Sequence, residues 1–469
     1  MTLEIVIKAI FVYFIVMHGL YLLLIVIGAT QLKRYHQGIQ FGDFQRISQS
    51  PLSLPVSVVM AAYNEESMIL LTVQNALRLR YPQHEVIVVN DGSTDGTLRV
   101  LTEHFKLRRV DKVFAKHFDT RPIRGIYQSL DHPNLLVVDK ENGRRGDSLN
   151  AGIDLARYPL ICQIDADCVL EEDALVRMAR PFLNNAKTIA ATAIVRPSNG
   201  LRVSDDGRIL ERGLPDTWLP LFQVVEYLRS FHWARSGLAR LNSMLSISGA
   251  LTVVRKDVFV KIGGFNTKAI TDDFELAVAL NRYIHEHKQE GPFEMAYVPD
   301  PICYSEVPVR LRHFASQRNF WQRGILQSLL RNRDMALNPR YGLTGLFGWP
   351  FFFLFEGISA LVEGASYIIA PVAYLTGLAT LQELLLMFVF AIILGTFVSL
   401  CAVLLQERTR LHQAKTGSLV RLLLAGLLEN FGYHQFHLVC RIVGIFDLLV
   451  RGRTDFAATV RYGFQNKRE

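Results

Sequence analysis

Three acidic or amide-rich segments carry most of the potential chemistry of this sequence. Each follows a short apolar run: AAYNEE at residues 61–66, NDGSTDGT at 90–97 and DADC at 165–168. Asn, Asp, Gly and Ser are also the usual residues of turns and helix N-caps, so an ordinary turn explains any one segment equally well. Three such segments at successive strand ends indicate instead a crevice lined with carboxylates.

The pair Asp165 and Asp167 indicates a site for a divalent cation. Residues two apart in an extended strand point to the same side, so both carboxylates can face one ion. Oxygen ligands suit Mg²⁺ or Mn²⁺, which commonly bridge carboxylates to the phosphates of a substrate. Such an ion would stabilise the negative charge that develops on a diphosphate leaving group.

The sequence contains neither a GxxxxGK[ST] phosphate loop nor a Rossmann glycine fingerprint. The phosphates of a nucleotide would therefore be held by the metal and by basic side chains. Lys140, Arg144 and Arg145, in the segment KENGRRGDSLN, are the candidates. The alternative is a solvated basic turn that has no role in binding.

Between about residues 53 and 330, short β-branched runs alternate with amphipathic segments of helical length. This alternation predicts βαβ units and a mostly parallel α/β sheet. The predicted strands are Val56–Ala61, Glu85–Val89, Leu135–Val138, Leu160–Ile164 and Ile189–Ile194. The predicted helices are Glu66–Leu79, Thr97–Leu107, Ser148–Ala156 and Glu172–Leu183. Ligands of such sheets bind beyond the carboxyl ends of the strands, where the three polar segments lie.

Two further regions are apolar enough to lie in a membrane. The segment Ala9–Ala29 has no Asp, Glu, Lys or Arg and is long enough to cross a bilayer as a helix. A cleavable signal peptide fits poorly, because the apolar run is too long and Glu4 lies in the would-be basic region. Leu384–Leu405 is a second charge-free span, and Leu343–Gln382 before it is either an interfacial helix plus one span or two short spans.

Flanking charges predict the orientation of these spans. Lys33 and Arg34 follow the first span, and Arg408, Arg410 and Lys415 follow the last one. Because basic residues mark the cytosolic side, the central region and the C-terminal tail are expected in the cytosol, beneath the plasma (bacterial inner) membrane. This bias accounts for the pI near 9.2, and no motif for nucleic-acid binding is present.

The ordered motifs resemble those of the family 2 glycosyltransferases with a GT-A fold. The resemblance is to their membrane-integrated branch, which contains cellulose, hyaluronan and poly-N-acetylglucosamine synthases. In the family order, the motifs are VSVVMAAYNEE, VIVVNDGSTDGT, KENGRRGDSLNAG, DAD, SISGALTVVRKDVFVKIGGF, TDDFEL and QRNFW. Each motif alone is weak evidence for the family, whereas the ordered series is specific to it and covers most of the chain. It implies a GT-A (Rossmann-like) domain with transmembrane and interfacial helices.

The resemblance implies a nucleotide-sugar site on the polar strand ends. Asp91 corresponds to the family aspartate that contacts the nucleotide base, with Tyr63 and Glu65 beside the nucleoside. Asp165 and Asp167 match the DxD pair that approaches the sugar diphosphate and its metal. Among the basic candidates, Lys140 and Arg145 are the expected partners of the nucleotide sugar, although many family members have lysine where Arg145 stands here.

The resemblance also implies a catalytic base. Asp273 lies where the family has the catalytic aspartate of its TED motif, and it would deprotonate the hydroxyl of the acceptor. Direct attack assisted by a single base inverts the anomeric carbon, so an α-linked donor would give a β-linked product. Asp272 replaces the family glutamate. Asp273 could alternatively cap the helix that begins near Phe274, and the two roles are compatible.

The acceptor side departs from the family pattern at one position. The residues implied in acceptor binding are Ser248, Gly249, Ala250, Gln317 and Trp321. In the QxxRW motif, Phe320 stands where the family has an arginine expected to assist the diphosphate, and Arg318 or Arg323 is a candidate substitute. Since the full motif is associated with processive synthesis, both polymer synthesis and the transfer of a single sugar stay open.

The expected organisation has five parts. They are an N-terminal transmembrane anchor (1–30), a juxtamembrane linker (31–52), a cytosolic GT-A domain (53–330), interfacial and transmembrane helices (331–406) and an amphipathic C-terminal region (407–469). In the last part, the segment Ser418–Val450 is expected to lie at the membrane surface, with a third span after the catalytic domain as the alternative. The five cysteines include no C-x-x-C pair and are expected to be free thiols.

The expected function is metal-dependent, inverting sugar transfer from a nucleotide-diphosphate donor, a UDP-sugar, to a growing β-linked exopolysaccharide. Mg²⁺ or Mn²⁺ is the expected cofactor. The expected partners are the donor, a saccharide or lipid-linked acceptor, the bilayer and an accessory or export subunit, without nucleic acid. The alternatives are transfer of one sugar to a lipid or short acceptor, and a non-enzymatic scaffold in a polysaccharide export complex.

Overall fold

The computed structural model describes residues 2–40, 53–408 and 416–455, which form two compact units. The sheet unit comprises residues 36–40, 53–215 and 244–307. The helical unit comprises residues 2–35, 216–243, 308–408 and 416–455. The segment 53–330, expected as one domain, therefore contributes to both units, because residues 216–243 and 308–330 belong to the helical one.

Within the described residues, ten strands form one mixed sheet and two more form a small hairpin. Along the chain, the strands are β1 (Val56–Ala62), β2 (His84–Asn90), β3 (Leu107–Arg109), β4 (Ile123–Ser129), β5 (Leu135–Lys140), β6 (Leu160–Asp165), β7 (Val169–Leu170), β8 (Thr188–Pro197), β9 (Leu201–Val203), β10 (Ile209–Arg212), β11 (Leu251–Arg255) and β12 (Glu294–Ser305). The large sheet has the order β3-β4-β5-β2-β1-β6-β11-β8-β12-β7, and β9 pairs with β10.

The centre of the sheet is parallel, as the apolar runs predict. Strands β5, β2, β1 and β6 run in the same direction, whereas β11 is antiparallel to both β6 and β8. Nearly every residue of these four strands is buried. Strands covered on both faces read as continuous apolar runs, which explains why the sequence located all four. The predicted mostly parallel α/β sheet is confirmed.

Helices of the sheet unit follow the central strands. They are Ile69–Leu77, Thr97–His104, Arg144–Leu155, Ala174–Asn184, Lys256–Lys261 and Asp272–Glu286, with a 3₁₀ turn at Lys288–Glu290. The first begins three residues later than predicted, because Glu65 to Met68 forms a turn in which the Met68 N–H donates to the Glu65 carbonyl. The second ends earlier than predicted, because Leu107 pairs with Ser129 in the β3–β4 ladder.

The helical unit is built from α-helices with wide π-helical turns between some of them. The α-helices are Thr2–Gln40, Trp218–Glu226, Arg235–Arg240, Leu311–Arg331, Trp349–Phe351, Ser359–Leu375, Leu381–Arg408, Thr416–Leu428 and Tyr433–Leu449. The π-helical turns are Tyr227–Ala234, Thr344–Gly348 and Phe352–Gly357, and 3₁₀ turns lie at Arg333–Met335 and Pro339–Tyr341.

Two described helices are long and apolar enough to cross a membrane, Glu4–Thr30 and Leu381–Leu405. Both coincide with spans predicted from the sequence. The region between them contains a third candidate, the helical pair Thr344–Gly357 and Ser359–Leu375, which is bent by 44° at its break. The C-terminal amphipathic segment consists of two helices with a break near Gly432. Of the flanking charges, Arg410 and Lys415 lie outside the described residues.

Candidate active site

The carboxyl ends of β1, β2, β5 and β6 lie side by side. In the ladder, Ala61 is level with Asp165, Ala62 with Asn90, and Asn90 with Asp139. The three polar segments that follow these strands therefore leave the sheet at the same edge. This register is what the sequence predicts for parallel strands, and it places the candidate residues of the sheet unit in one region.

The carboxylate of Asp91 is buried and held by neighbouring donors. Lys140 Nζ lies 2.9 Å from Asp91 Oδ1 and 2.5 Å from Asp147 Oδ1. It also donates to the carbonyl of Glu141 at 2.6 Å. The Gly143 N–H donates to Asp91 Oδ1 at 2.9 Å. Because the side chain of Lys140 is wholly buried and its three N–H groups have these partners, Lys140 positions Asp91. Direct contact between Lys140 and the nucleotide sugar stays a prediction.

The loops after β1 and β2 are tied together by hydrogen bonds. The Glu65 N–H donates to Thr97 Oγ1 at 2.9 Å, and the Glu66 N–H donates to Asp95 Oδ2 at 3.1 Å. Burial by itself raises the pKa of Asp95, but hydrogen bonds from Thr97 and Glu66 lower it overall. Asp95 is therefore a structural residue of the NDGSTDGT turn. The ring of Tyr63 stays 47% exposed beside this cross-linked pair of loops.

Asp165 and Asp167 come close together at the end of β6. A carboxylate oxygen from each and the Cys168 sulfur lie within 4.8 Å of one another, the spacing of a metal site. Asp165 is the last residue of the strand and Asp167 lies in a turn, where the Cys168 N–H donates to the Asp165 carbonyl at 3.2 Å. The turn, rather than the alternation of an extended strand, brings the carboxylates together.

Cys168 belongs to the surroundings of the aspartates. Its Sγ lies 3.8 Å from Asp167 Oδ1, and Ser305 Oγ donates to Asp167 Oδ2 at 3.3 Å. A hydrogen bond with Cys303, together with burial, raises the pKa of the Cys168 thiol well above its usual range. A buried protonated thiol is a poor ligand for a hard ion, so the donor set that suits Mg²⁺ or Mn²⁺ is the pair of carboxylates.

The guanidinium of Arg145 links the aspartate pair to the TDD segment. Its Nε donates to Asp165 Oδ1 at 2.9 Å, and its Nη1 lies 2.8 Å from both carboxylate oxygens of Asp272. Its Nη2 donates to the Gly249 carbonyl at 2.6 Å. Burial lowers the pKa of Arg145, but the carboxylates of Asp272, Asp165 and Asp273 raise it overall. Arg145 is thus a fixed cation at the centre of three acidic side chains.

Asp273 lies at the start of the helix Asp272–Glu286, next to the segment that the sequence assigned to the acceptor. Its Oδ1 accepts a hydrogen bond from the Phe274 N–H at 2.8 Å. A Cβ added to Gly249 would lie only 3.0 Å from Asp273 Oδ2. Ser248 is nearly buried and its N–H donates to Thr192 Oγ1 at 2.9 Å. Ala250 is buried as well.

Gln317 and Trp321 lie in the other unit, on the helix Leu311–Arg331. Arg318, a suggested substitute for the missing arginine, is buried there, and its Nη2 donates to Glu226 Oε2 at 3.0 Å. Arg323 is also buried and donates to Asn319 Oδ1 and to the carbonyls of Arg453 and Asp455. Each guanidinium group has at least one partner within the helical unit, and the suggestion that either arginine replaces the family arginine stays a prediction.

Sequence reasoning missed the partners of the basic residues. Asp147 faces Lys140, and Asp272 faces Arg145. The one sequence signal for the first pair is an acidic residue placed within the basic motif KENGRRGDSLN. No spacing rule signals the second pair.

The mixed sheet with a parallel centre and acidic residues at its carboxyl edge has the GT-A fold of glycosyltransferases. The fold agrees with that of a solved structure, "Mannosyltransferase PcManGT from Pyrobaculum calidifontis in complex with GDP-Man and Mn2+". The alignment covers 90% of this chain and 99% of that one, with a TM-score of 0.51 and 16% identity.

The family follows from the sequence comparison. The description "Glycosyl transferase family group 2" matches residues 160–400, and "Glycosyl transferase family 2" matches residues 57–236. The chain belongs to the glycosyl transferase family group 2 and is a glycosyltransferase, as the motifs predicted.

The curated relatives are polysaccharide synthases. The poly-beta-1,6-N-acetyl-D-glucosamine synthases of Staphylococcus epidermidis and of Staphylococcus aureus (strain COL) are each 27% identical to this chain over 278 residues. The matched region is 59% of this chain and 56% of each relative. The chain therefore spans little more than half the length of these relatives.

Proposed function

We propose that the protein is an inverting, metal-dependent glycosyltransferase that moves a sugar from a nucleotide diphosphate to a saccharide acceptor at the cytosolic face of a membrane. The observation that carries the proposal is the chain of contacts from Asp165 through Arg145 to Asp272, next to Asp273. It joins a candidate metal pair, a fixed cation and a candidate base within one unit of the fold.

The carboxylates of Asp165 and Asp167 would hold Mg²⁺ or Mn²⁺. The bound ion supplies charge stabilisation for the departing diphosphate. Arg145 would add a second positive charge on the same side, since its planar guanidinium suits bidentate recognition of phosphate oxygens. Asp91 would accept a hydrogen bond from the nucleotide base, with Lys140 fixing its orientation and Tyr63 and Glu65 forming the rim.

Asp273 would act as the general base. A carboxylate that takes the acceptor proton must lie within hydrogen-bond reach of the acceptor hydroxyl. A Cβ added to Gly249 would lie 3.0 Å from Asp273 Oδ2, so a side chain at this position would crowd the carboxylate of the proposed base. Since one base and direct attack suffice, the product would be β-linked when the donor is α-linked.

Of the two possible products, a polymer is the first to test for. The matched relatives are named for a polymer of N-acetylglucosamine, which supports UDP-N-acetylglucosamine as the first donor to test. Transfer of a single sugar is the second candidate, and Phe320 favours it, because Phe320 stands where the motif associated with processive synthesis has an arginine.

The test is an assay of the purified chain in nanodiscs with UDP-N-acetylglucosamine, UDP-glucose and GDP-mannose, with and without Mg²⁺ or Mn²⁺. Nucleotide release and product length are measured. Turnover that chelation abolishes and added metal restores supports the proposal. Turnover that survives chelation refutes the metal role, and a product extended by one sugar refutes polymer synthesis. Replacing Phe320 with arginine tests whether that position sets product length.

A further inference from the structure

A cavity of about 670 Å³ lies within the helical unit, which contributes all of its lining residues. Its walls come from the N-terminal helix, the helices 359–375 and 381–408, and parts of 226–230, 318–325 and 430–441. Two of these elements contain the candidate spans Glu4–Thr30 and Leu381–Leu405. The cavity is therefore built largely from helices suited to a lipid environment.

The lining is apolar toward one end and polar toward the other. On the N-terminal helix, the ring of Phe11 packs against Phe390 with 6.0 Å between centroids. Farther along the same helix, the Tyr21 hydroxyl donates to the carboxylate of Glu356. The ten residues from Phe11 to Tyr21 rise about 15 Å along a helix, about half of a ~30 Å hydrocarbon core. This gradient suits a molecule with an apolar chain and a polar head.

The polar end contains hydrogen-bond donors that have no acceptor. Arg318 is 1% exposed, and its Nε and Nη1 lack a hydrogen-bond partner among the described residues. Its Nη2 donates to Glu226, and its guanidinium carbon lies 4.7 Å from the centroid of the Phe314 ring and 4.3 Å from that of Trp321. A buried N–H without an acceptor costs free energy. A ligand oxygen at this end of the cavity would satisfy these donors.

The charges around the cavity favour an uncharged ligand. The ionised lining residues are equal in number, Arg229, Arg318 and Arg441 against Glu226, Glu356 and Glu363. Burial, with repulsion from Arg318, lowers the pKa of His437 well below its usual range, so this imidazole is neutral. An anionic headgroup would enter without a net positive charge to balance it, whereas hydroxyl groups would find donors and acceptors.

We propose that this cavity binds a neutral lipid whose hydroxylated headgroup accepts hydrogen bonds from Arg318 and whose chain lies along Phe11, Leu384 and Phe390. Because the acceptor candidate Trp321 also lines the cavity, the proposal rests in part on the proposed function, and its test below uses no nucleotide sugar. A free glycan would match the polar end but would leave the apolar walls without a partner, so the observations favour a lipid of the glycolipid class over a soluble saccharide.

The test uses a glucosyl diacylglycerol that carries a diazirine in one acyl chain, incorporated into nanodiscs with the full chain and no nucleotide sugar. We expect light-induced cross-links on the N-terminal helix and on the helix Leu381–Arg408. Unlabelled glucosyl diacylglycerol should compete for these cross-links, and phosphatidylglycerol should not. Equal competition by phosphatidylglycerol would overturn the proposal, and so would competition by a soluble glucose oligosaccharide.

Two leucines on one helix provide matched variants. Leu384 lines the cavity, whereas Leu386 is 72% exposed and does not. Leu384→Trp should weaken glycolipid binding about tenfold by filling the apolar end, which corresponds to about 1.4 kcal/mol, and Leu386→Trp should not weaken it. Arg318→Lys keeps the positive charge opposite Glu226 but removes the guanidinium N–H donors. This variant should therefore also weaken glycolipid binding. Equal cross-linking in Leu384→Trp and Leu386→Trp would refute a lipid bound in the cavity. Turnover of the nucleotide-sugar donor is measured in a separate assay, so a failure of lipid binding can be told apart from a failure of the proposed reaction.

Discussion

Asp272 and Asp273 are adjacent in the sequence but have different surroundings in the structure. Asp272 is held by Arg145, whereas Asp273 Oδ1 accepts a hydrogen bond from the Phe274 N–H and Asp273 Oδ2 lies close to Gly249. We expect Asp273→Asn to lower kcat by about 10²–10⁴-fold with the affinity for the donor preserved. Asp272→Asn should mainly raise KM for the donor, because it loosens Arg145. Steady-state kinetics with isothermal titration of the donor checks both, and the base assignment is wrong if Asp273→Asn turns over normally.

Lys140 and Lys106 each form an ion pair of 2.9 Å, but only Lys140 is buried. Lys140→Met would leave Asp91 and Asp147 buried without their cation, which should cost about 3–5 kcal/mol in the free energy of unfolding. Lys106→Met breaks an exposed pair with Asp131 and should cost no more than about 1 kcal/mol. Chemical denaturation followed by the fluorescence of a tryptophan introduced into the sheet unit measures the difference. Equal losses would show that Lys140 is not the structural partner of Asp91.

At the scale of secondary-structure elements, the helix Arg144–Leu155 carries Arg145 to the site and packs closely on the sheet. A Cβ added to Gly152 would lie 2.4 Å from Cγ1 of Val59 on β1. Gly152→Ala should therefore destabilise the sheet unit by about 1–3 kcal/mol through overpacking and should raise KM for the donor by moving Arg145. A helical glycine with open space around it, Gly417, is the control. Gly417→Ala should be neutral or slightly stabilising, because alanine is the better helix former. Thermal unfolding of both variants shows whether each substitution raises or lowers the stability. A Gly152→Ala variant that is more stable than the parent would contradict the close packing at Gly152.

At the scale of the whole molecule, the orientation of the chain in the membrane can be tested with single cysteines. Val113 is fully exposed in the sheet unit, and Leu378 lies between the helices Ser359–Leu375 and Leu381–Arg408. If the sheet unit is cytosolic and the bent pair is one span, a membrane-impermeant maleimide should label Val113→Cys only in inside-out vesicles and Leu378→Cys only in right-side-out ones. Most of the native cysteines are buried, so the parent chain gives the background. Labelling of both variants from the same side would exclude a spanning bent pair.

The sequence by itself determined the features that depend on neighbours along the chain. The central strands were located because residues covered on both faces must be apolar throughout. The spans were located because a helix in hydrocarbon needs about 20 apolar residues in a row. The order of the motifs then indicated the family. Asp165 and Asp167 were identified as a pair from their separation of two positions, although a turn, and not the alternation of an extended strand, brings their carboxylates together.

The tertiary structure alone decided which charges neutralise one another. Arg145 and Asp272 are 127 positions apart, and no periodicity or spacing relates them. Lys140 is a predicted partner of the nucleotide sugar because its type is basic, and only the structure shows that it is buried between Asp91 and Asp147. Arg318 looked like a substitute for a missing arginine, and its burial beside Glu226 places it in the cavity of the helical unit. The role of a charged residue depends on the desolvation and the partners that folding imposes, and only the folded chain specifies both.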